Sequence, residues 1–218
     1  MIFNLILYPG IILFLSGDWY WLEGWIFALW FIISVISTTL YLTRKSPGLL
    51  QERFRKPGTG GQKGWDKYFM YLLVLANISW YMIMPLDAKR FGWTAPFPIW
   101  FKGIGGVGLL GSYYFIFRSI IANPFASGLV RIQSERNHQL VSTGVYGMVR
   151  HPMYLGGIML FLGAPLLLSS KYGIVIGIGI SLMFIFRIYG EEKMLDTELP
   201  GYPEYKLKVK YRLIPKIW

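Results

Sequence analysis

The chain contains no cysteine. That excludes a disulfide frame, a thiolate nucleophile and a cysteine-ligated metal. Two histidines in 218 residues argue against a protein-bound zinc site, and no metal is expected. Charge is scarce too: 15% of residues are charged, where a soluble domain carries roughly 25%. Acidic residues are scarcest, 11 against 22 basic ones, which leaves a net charge of +11. A basic balance suits nucleic acid, but here the basic residues sit in connections and a tail between apolar blocks. That is the placement of a membrane protein, and no nucleic-acid partner is expected.

Apolar residues are abundant instead, 54% of the chain with 18% aromatic. A helix needs about 20 of them to cross a bilayer. Blocks 25–42, 68–86, 99–121, 154–169 and 172–189 qualify, the fourth being short. Block 2–15 is a marginal sixth. Its Tyr8-Pro9-Gly10 is expected to kink or break a helix. The start lacks a basic leader, and Ser16-Gly17-Asp18 is a poor cleavage site. A short span is favoured there over a signal peptide, with an interfacial helix as the alternative. The expected fold is all-α: a polytopic membrane bundle of five or six helices.

Positive charge sets the expected orientation. Connections 43–67 and 122–153, the tail 190–218, Arg118 and Arg187 hold 18 of the 22 basic residues. Lys89, Arg90, Lys102 and Lys171 are the other four. The rich side is assigned to the cytoplasm. Asp18-Trp19-Tyr20-Trp21 and Phe91-Gly92-Trp93 then form an outer aromatic belt.

Two letter-level motifs fail on context. Gly103-x-Gly105-x-x-Gly108 matches a dinucleotide fingerprint but sits in an apolar helix, without a preceding strand. Its glycines, like Gly173, Gly177 and Ser181, suit close helix packing. The sequon Asn77-Ile78-Ser79 lies inside a predicted span.

The informative region runs from Gly144 to Tyr154 and resumes at Arg187. In Arg150-His151-Pro152-Met153-Tyr154, Pro152 suits a first helical position. The free N–H groups of that turn favour an anion. The plain alternative is a charged helix boundary with interfacial aromatics. Arg187 and Glu191 are one turn apart on one helix face, and an ion pair between them is the plain alternative there. Ionisable groups at this depth are functional candidates. With His151 they offer opposite charges to a zwitterion. The tail from Pro200 to Pro215 is expected to fold back as a cytosolic cap over a cofactor pocket, or to lie on anionic lipid through its lysines.

These residues resemble the isoprenylcysteine carboxyl methyltransferase family and its phospholipid methyltransferase relatives. The resemblance covers residues 123–218. It rests on His138-Gln139-Leu140-Val141, Gly144-Val145-Tyr146, Arg150-His151-Pro152-Met153-Tyr154, Arg187-x-x-x-Glu191-Glu192-x-x-Leu195 and an Arg-x-x-Pro tail. Residues 1–122 match only as a pattern of spans, serving substrate access and packing. The resemblance implies S-adenosylmethionine as cofactor and a lipid or prenylated acceptor arriving from the bilayer. It implies cofactor contacts at His138, Gln139, Leu140, Val141, Tyr146, His151, Pro152, Met153, Tyr154 and Glu191. Arg187 matches the arginine assigned to the acceptor carboxylate. Tyr154, His151 or Glu192 would serve as base if the acceptor were an amine. A family glutamine has no clean counterpart: Arg131 falls near its place and Gln133 two residues on. The leading expectation is methyl transfer to a carboxylate. The alternatives are a phospholipid amine acceptor, an NADPH-dependent sterol-reductase-like enzyme and a non-enzymatic scaffold.

Overall fold

The computed structural model describes residues 2–218, with side chains from residue 7 onward. Among the described residues all regular structure is helical. The elements are α1 (Ile2–Ser16), α2 (Leu22–Lys45), α3 (Pro47–Arg53), α4 (Gly64–Pro85), α5 (Ile99–Ala122), α6 (Pro152–Leu168), α7 (Lys171–Glu198) and α8 (Tyr202–Lys208). A π-helical turn, Leu86–Arg90, extends α4. This extended α4, with α2, α5 and α7, is long and apolar enough to cross a membrane, while α1 and α6 are shorter. Each expected apolar block is a helix. The break expected at Pro9 does not occur, and α1 runs through it. Prolines stand in the first turns of α3, α6 and α8, where a missing N–H breaks no helical bond.

Helix α6 lies at the centre, packed against α5, α7, α2 and α4. Small residues permit this. A Cβ on Gly108 would stand 3.2 Å from the Gly163 Cα, and one on Gly163 would stand 3.0 Å from the Gly105 carbonyl. The glycine motif of α5 is therefore a helix-packing face. On the opposite side of α6, Phe184 of α7 fills the space beside Gly157. The Trp80 indole donates to the Phe161 carbonyl at 3.1 Å. The outward faces keep large apolar side chains exposed, among them Leu75, Val107, Leu110 and Phe186, as a lipid-facing surface does.

The polar groups divide between the two ends. At one end Lys89 pairs with Asp18 at 2.9 Å and Lys102 with Glu23. Asp87 is buried there, accepting from Ser170 at 2.7 Å and Thr94 at 3.0 Å. At the other end the α2–α4 connection, the α5–α6 loop and the tail meet. The Lys63 N–H donates to the Val130 carbonyl at 3.1 Å, and its ammonium reaches Glu198 at 2.6 Å. The connections rich in positive charge thus share one end of the bundle.

Candidate functional site

The loop entering α6 is fixed by the tail. Gly144 takes φ 61°, a backbone angle that favours glycine, and opens a 3₁₀ turn over Gly144–Gly147. The Tyr205 hydroxyl donates to the Tyr146 carbonyl at 2.6 Å. The N–H groups of Arg150 and His151 donate to the Tyr211 and Arg212 carbonyls, both at 2.9 Å. The tail therefore folds back over the mouth of the α6–α7 hairpin.

Glu192 holds this arrangement. Its carboxylate receives Arg150 at 2.7 Å, Arg212 at 2.8 Å and His151 at 3.2 Å. It is 3% exposed. A buried carboxylate needs such partners, because the loss of hydration is otherwise uncompensated. The residue expected as a possible base is thus engaged as a clamp. It does not line the cavity described next.

Beneath the tail lies a cavity of about 380 Å³. The loop contributes His138, Gln139, Leu140, Val141 and Tyr146. His151, Pro152, Met153 and Tyr154 come from the start of α6, and Arg187 and Glu191 from α7. The structure brings together all the residues expected to contact a cofactor. It adds some that sequence reasoning missed: Arg53 of α3, and Tyr202 and Tyr205 of the tail. Met70, Leu73 and Ile116, which precede residue 122, also line the space.

Most charges around this cavity are neutralised by the protein. Arg187 does not pair with Glu191. Its Nε meets Asp66 at 2.8 Å, and its Nη2 meets Asp66 at 3.2 Å and the Gly128 carbonyl at 2.6 Å. Its guanidinium also lies against the Phe69 ring at 5.3 Å and the Tyr154 ring at 5.9 Å, favourable cation–π separations. The edge expected to take an acceptor carboxylate already holds a protein carboxylate. Asp66, fully buried, also accepts from the Val130 N–H at 2.8 Å and from Gln62 at 2.6 Å. Arg131 is held by Glu52 at 3.1 Å and by Glu135. Gln133 is fully buried and donates to the carbonyl of the cavity-lining Phe125 at 2.8 Å, but does not itself line the cavity.

Glu191 and Tyr202 are among the lining groups that lack such compensation. Glu191 accepts a 2.6 Å hydrogen bond from the Tyr154 hydroxyl but has no cationic partner among the described residues. The Tyr202 hydroxyl is buried and makes no hydrogen bond. A carboxylate without a cation and a hydroxyl without a partner suit a polar, positively charged guest.

His138 closes the loop side. Its ring stacks on Phe125 with centroids 4.5 Å apart. Burial, with Arg131 and Arg136 nearby, pushes its pKa down from 6.5 to about 4. It faces the cavity as a neutral imidazole at physiological pH. Burial pushes the Tyr146 phenol up to about 12.

Residues 101–199 match the phospholipid methyltransferase family model. Over 103 residues, 46% of this chain, the sequence is 38% identical to Protein-S-isoprenylcysteine O-methyltransferase of Saccharomyces cerevisiae, covering 43% of that protein. It is 27% identical over 113 residues, 47% of this chain, to a Delta(14)-sterol reductase of Mus musculus, covering 25% of that protein. Each match spans less than half the length of its curated relative. The fold is similar to that of the eukaryotic intramembrane Ras methyltransferase ICMT (isoprenylcysteine carboxyl methyltransferase). The TM-score is 0.56 at 18% identity, over 99% of this chain and 85% of that one. The family match spans α5, the loop and the α6–α7 hairpin, while the similarity of fold extends over 99% of the chain.

The depressed His138 pKa gives a testable sign. The folded state favours the neutral ring, so its stabilising contribution is complete above about pH 6.5 and is lost as pH falls through about 4. In detergent, the melting temperature of the wild type should fall more between pH 7 and pH 5 than that of His138→Gln. Equal falls would show that His138 titrates normally in the folded protein.

Proposed function

We propose that this multi-pass membrane protein is a methyltransferase that uses S-adenosylmethionine and acts on a lipophilic acceptor, a carboxylate of the prenylcysteine type. The observation that carries this reading is the pairing of an uncompensated Glu191 with a partnerless Tyr202 hydroxyl in a cavity lined in part by the membrane-spanning helices. The donor set fits the methionine end of the cofactor. Glu191 would hold its ammonium. The Met153 and Tyr154 N–H groups in the first turn of α6 have no intrahelical partner and suit its carboxylate. Tyr202 would donate to or accept from its polar atoms. The aromatic and aliphatic side chains of Tyr146, Leu140 and Leu199 would cover the rest.

The bound cofactor would supply an electrophilic methyl group on a positively charged sulfur. The tail, with its α8 tyrosines, would exclude water from the cavity. A carboxylate acceptor carries no proton to remove, so no general base is needed. The chain's contribution is positioning, which can remove roughly 7–11 kcal/mol of barrier. Transfer to a carboxylate annihilates two charges, which a site of low polarity favours once both partners are bound. The Arg187–Asp66 pair would keep the inner wall electrically balanced and hold Tyr154 in place. A second reading, an amine acceptor on a phospholipid, draws on the Tyr154–Glu191 hydrogen bond, which would offer an acceptor for the proton lost. Identifying the methylated lipid product separates ester from amine.

Binding tests the assignment directly. Calorimetry should detect S-adenosylhomocysteine, and Glu191→Ala should weaken it by about 2–3 kcal/mol, the size of a lost charge-assisted bond. Binding of NADPH in place of S-adenosylhomocysteine would transfer the chain to the reductase reading. An unchanged affinity in Glu191→Ala would remove the ammonium contact.

We assign the charge-rich end, and with it the cavity, to the cytoplasm. The cysteine-free chain permits single-site labelling. Lys171 and Ser134 are exposed at opposite ends. Lys171→Cys should react with an impermeant thiol reagent added outside intact cells, and Ser134→Cys only after permeabilisation. The opposite pattern would invert the orientation.

A further inference from the structure

Arg53, the last residue of α3, contributes to two cavities at once. One is the cavity beneath the tail. The other, about 370 Å³, lies among the membrane helices and is walled by Trp30, Phe31, Leu42, Trp80 and Tyr81. Arg53, Ile116 and Leu160 line both. They form the boundary between the cavity that gathers the ionisable groups and a second, more apolar one.

Among these boundary residues only Arg53 carries charge, and that charge has no counterion. Its Nη1 donates to the Ala126 carbonyl at 3.0 Å and meets the Met153 sulfur at 3.7 Å. Among the described residues Nε and Nη2 have no partner. Glu52, beside it in the chain, turns instead to Arg55 at 2.9 Å and Arg131 at 3.1 Å. Burial pushes the Arg53 pKa down, with only the Tyr146 phenol acting against it. Arg187 differs in its pairing: Asp66 occupies the matching edge of its guanidinium. The free Nε–Nη2 edge of an arginine is a planar fork that matches two oxygens of a carboxylate or phosphate.

Given the methyltransferase reading, we infer that Arg53 binds the oxyanion of the lipid acceptor, at the junction where its chain lies in the apolar cavity and its head meets the cofactor compartment. The chemistry required is a long apolar chain joined to a carboxylate or phosphate. Arg53 is a substrate-binding residue in this arrangement, and Arg187 a positioning residue neutralised by Asp66. A free acid without a lipid chain fills only half of the joint site. A neutral lipid leaves the guanidinium without its counterion.

The test compares ligands on purified wild-type protein in nanodiscs, with equilibrium binding as the readout alongside turnover. The probes are a farnesylated cysteine with a free carboxylate, its neutral carboxamide, and phosphatidylethanolamine. Wild type should bind the acid at least about tenfold more tightly than the carboxamide, the scale of a charge-assisted bond. Arg53→Gln should erase that preference, raise the KM for the acid by a similar factor and leave S-adenosylhomocysteine affinity within about twofold. Arg53→Lys keeps the charge and packing without the fork. It should bind the acid with intermediate affinity, and it serves as the folded reference should Arg53→Gln prove unstable. Loss confined to phosphatidylethanolamine binding also supports the site, with phosphate as the oxyanion. A parallel loss of S-adenosylhomocysteine affinity would overturn the inference and place Arg53 on the cofactor carboxylate. Unchanged preference in both variants would overturn it in favour of a purely structural arginine. The acid–carboxamide comparison is independent of methyl transfer. A protein that binds no S-adenosylhomocysteine therefore sinks the methyltransferase reading while still reporting on Arg53.

Discussion

One buried carboxylate, Glu192, ties together the segments that frame the cavity. It joins Arg150 and His151 at the α6 entrance to Arg212 of the tail, and it belongs to α7 itself. Three segments distant in sequence thus converge on a single group. The backbone bonds from Arg150 and His151 to Tyr211 and Arg212 follow from that convergence, and so does the seating of Tyr202 and Tyr205 over the cavity. Arg212 is stacked as well, 4.9 Å from the Tyr189 ring and 5.2 Å from the Trp218 ring. The clamp is ionic within and aromatic at its edge.

The second organising feature is the contrast between satisfied and unsatisfied charge. Asp66 and Glu52 neutralise Arg187 and Arg131 while tying α4 and α3 to the loop that lines the cavity. Removing a charge from water is costly unless it is paired, so these pairs are structural requirements. Glu191 and Arg53 stand outside this pairing, with only neutral hydrogen-bonding neighbours among the described residues. An unbalanced negative group within the cavity and an unbalanced positive group at its apolar border describe the charges of two different guests. The proposed function and the assignment of Arg53 both rest on that asymmetry.

Much of the architecture was legible because hydrophobic length and positive-charge placement act locally. The six apolar blocks became helices, and Gly105 and Gly108 proved to pack against Gly163. Of the kink or break expected at Pro9, the break does not occur, since the effect of a proline on a helix depends on surroundings that sequence does not display. The cavity residues from His138 to Tyr154 were visible as an ordered motif. Their pairing was not. Arg187 and Glu191 share a face, and spacing alone suggested that they answered each other. The partner of Arg187 is instead 121 positions away, at Asp66. A signal was present: a buried arginine needs an anion, acids are few, and Asp66 begins the helix at the same end. Arg53 gave no such signal, because a basic residue in a basic connection looks like a surface charge. Only the fold shows that it lines the apolar cavity.

The role of Glu192 is the most direct test of this account. Glu192→Gln keeps the size of the side chain and removes the charge that holds three basic groups. Breaking a buried pair costs on the order of 3–5 kcal/mol. The measurement is tail protection by limited proteolysis at Lys206, Lys208 and Lys210, read together with S-adenosylhomocysteine affinity. The account predicts that both fall together, because the roof of the cavity comes loose. An intact tail and unchanged affinity, with turnover alone abolished, would contradict it and make Glu192 the catalytic base.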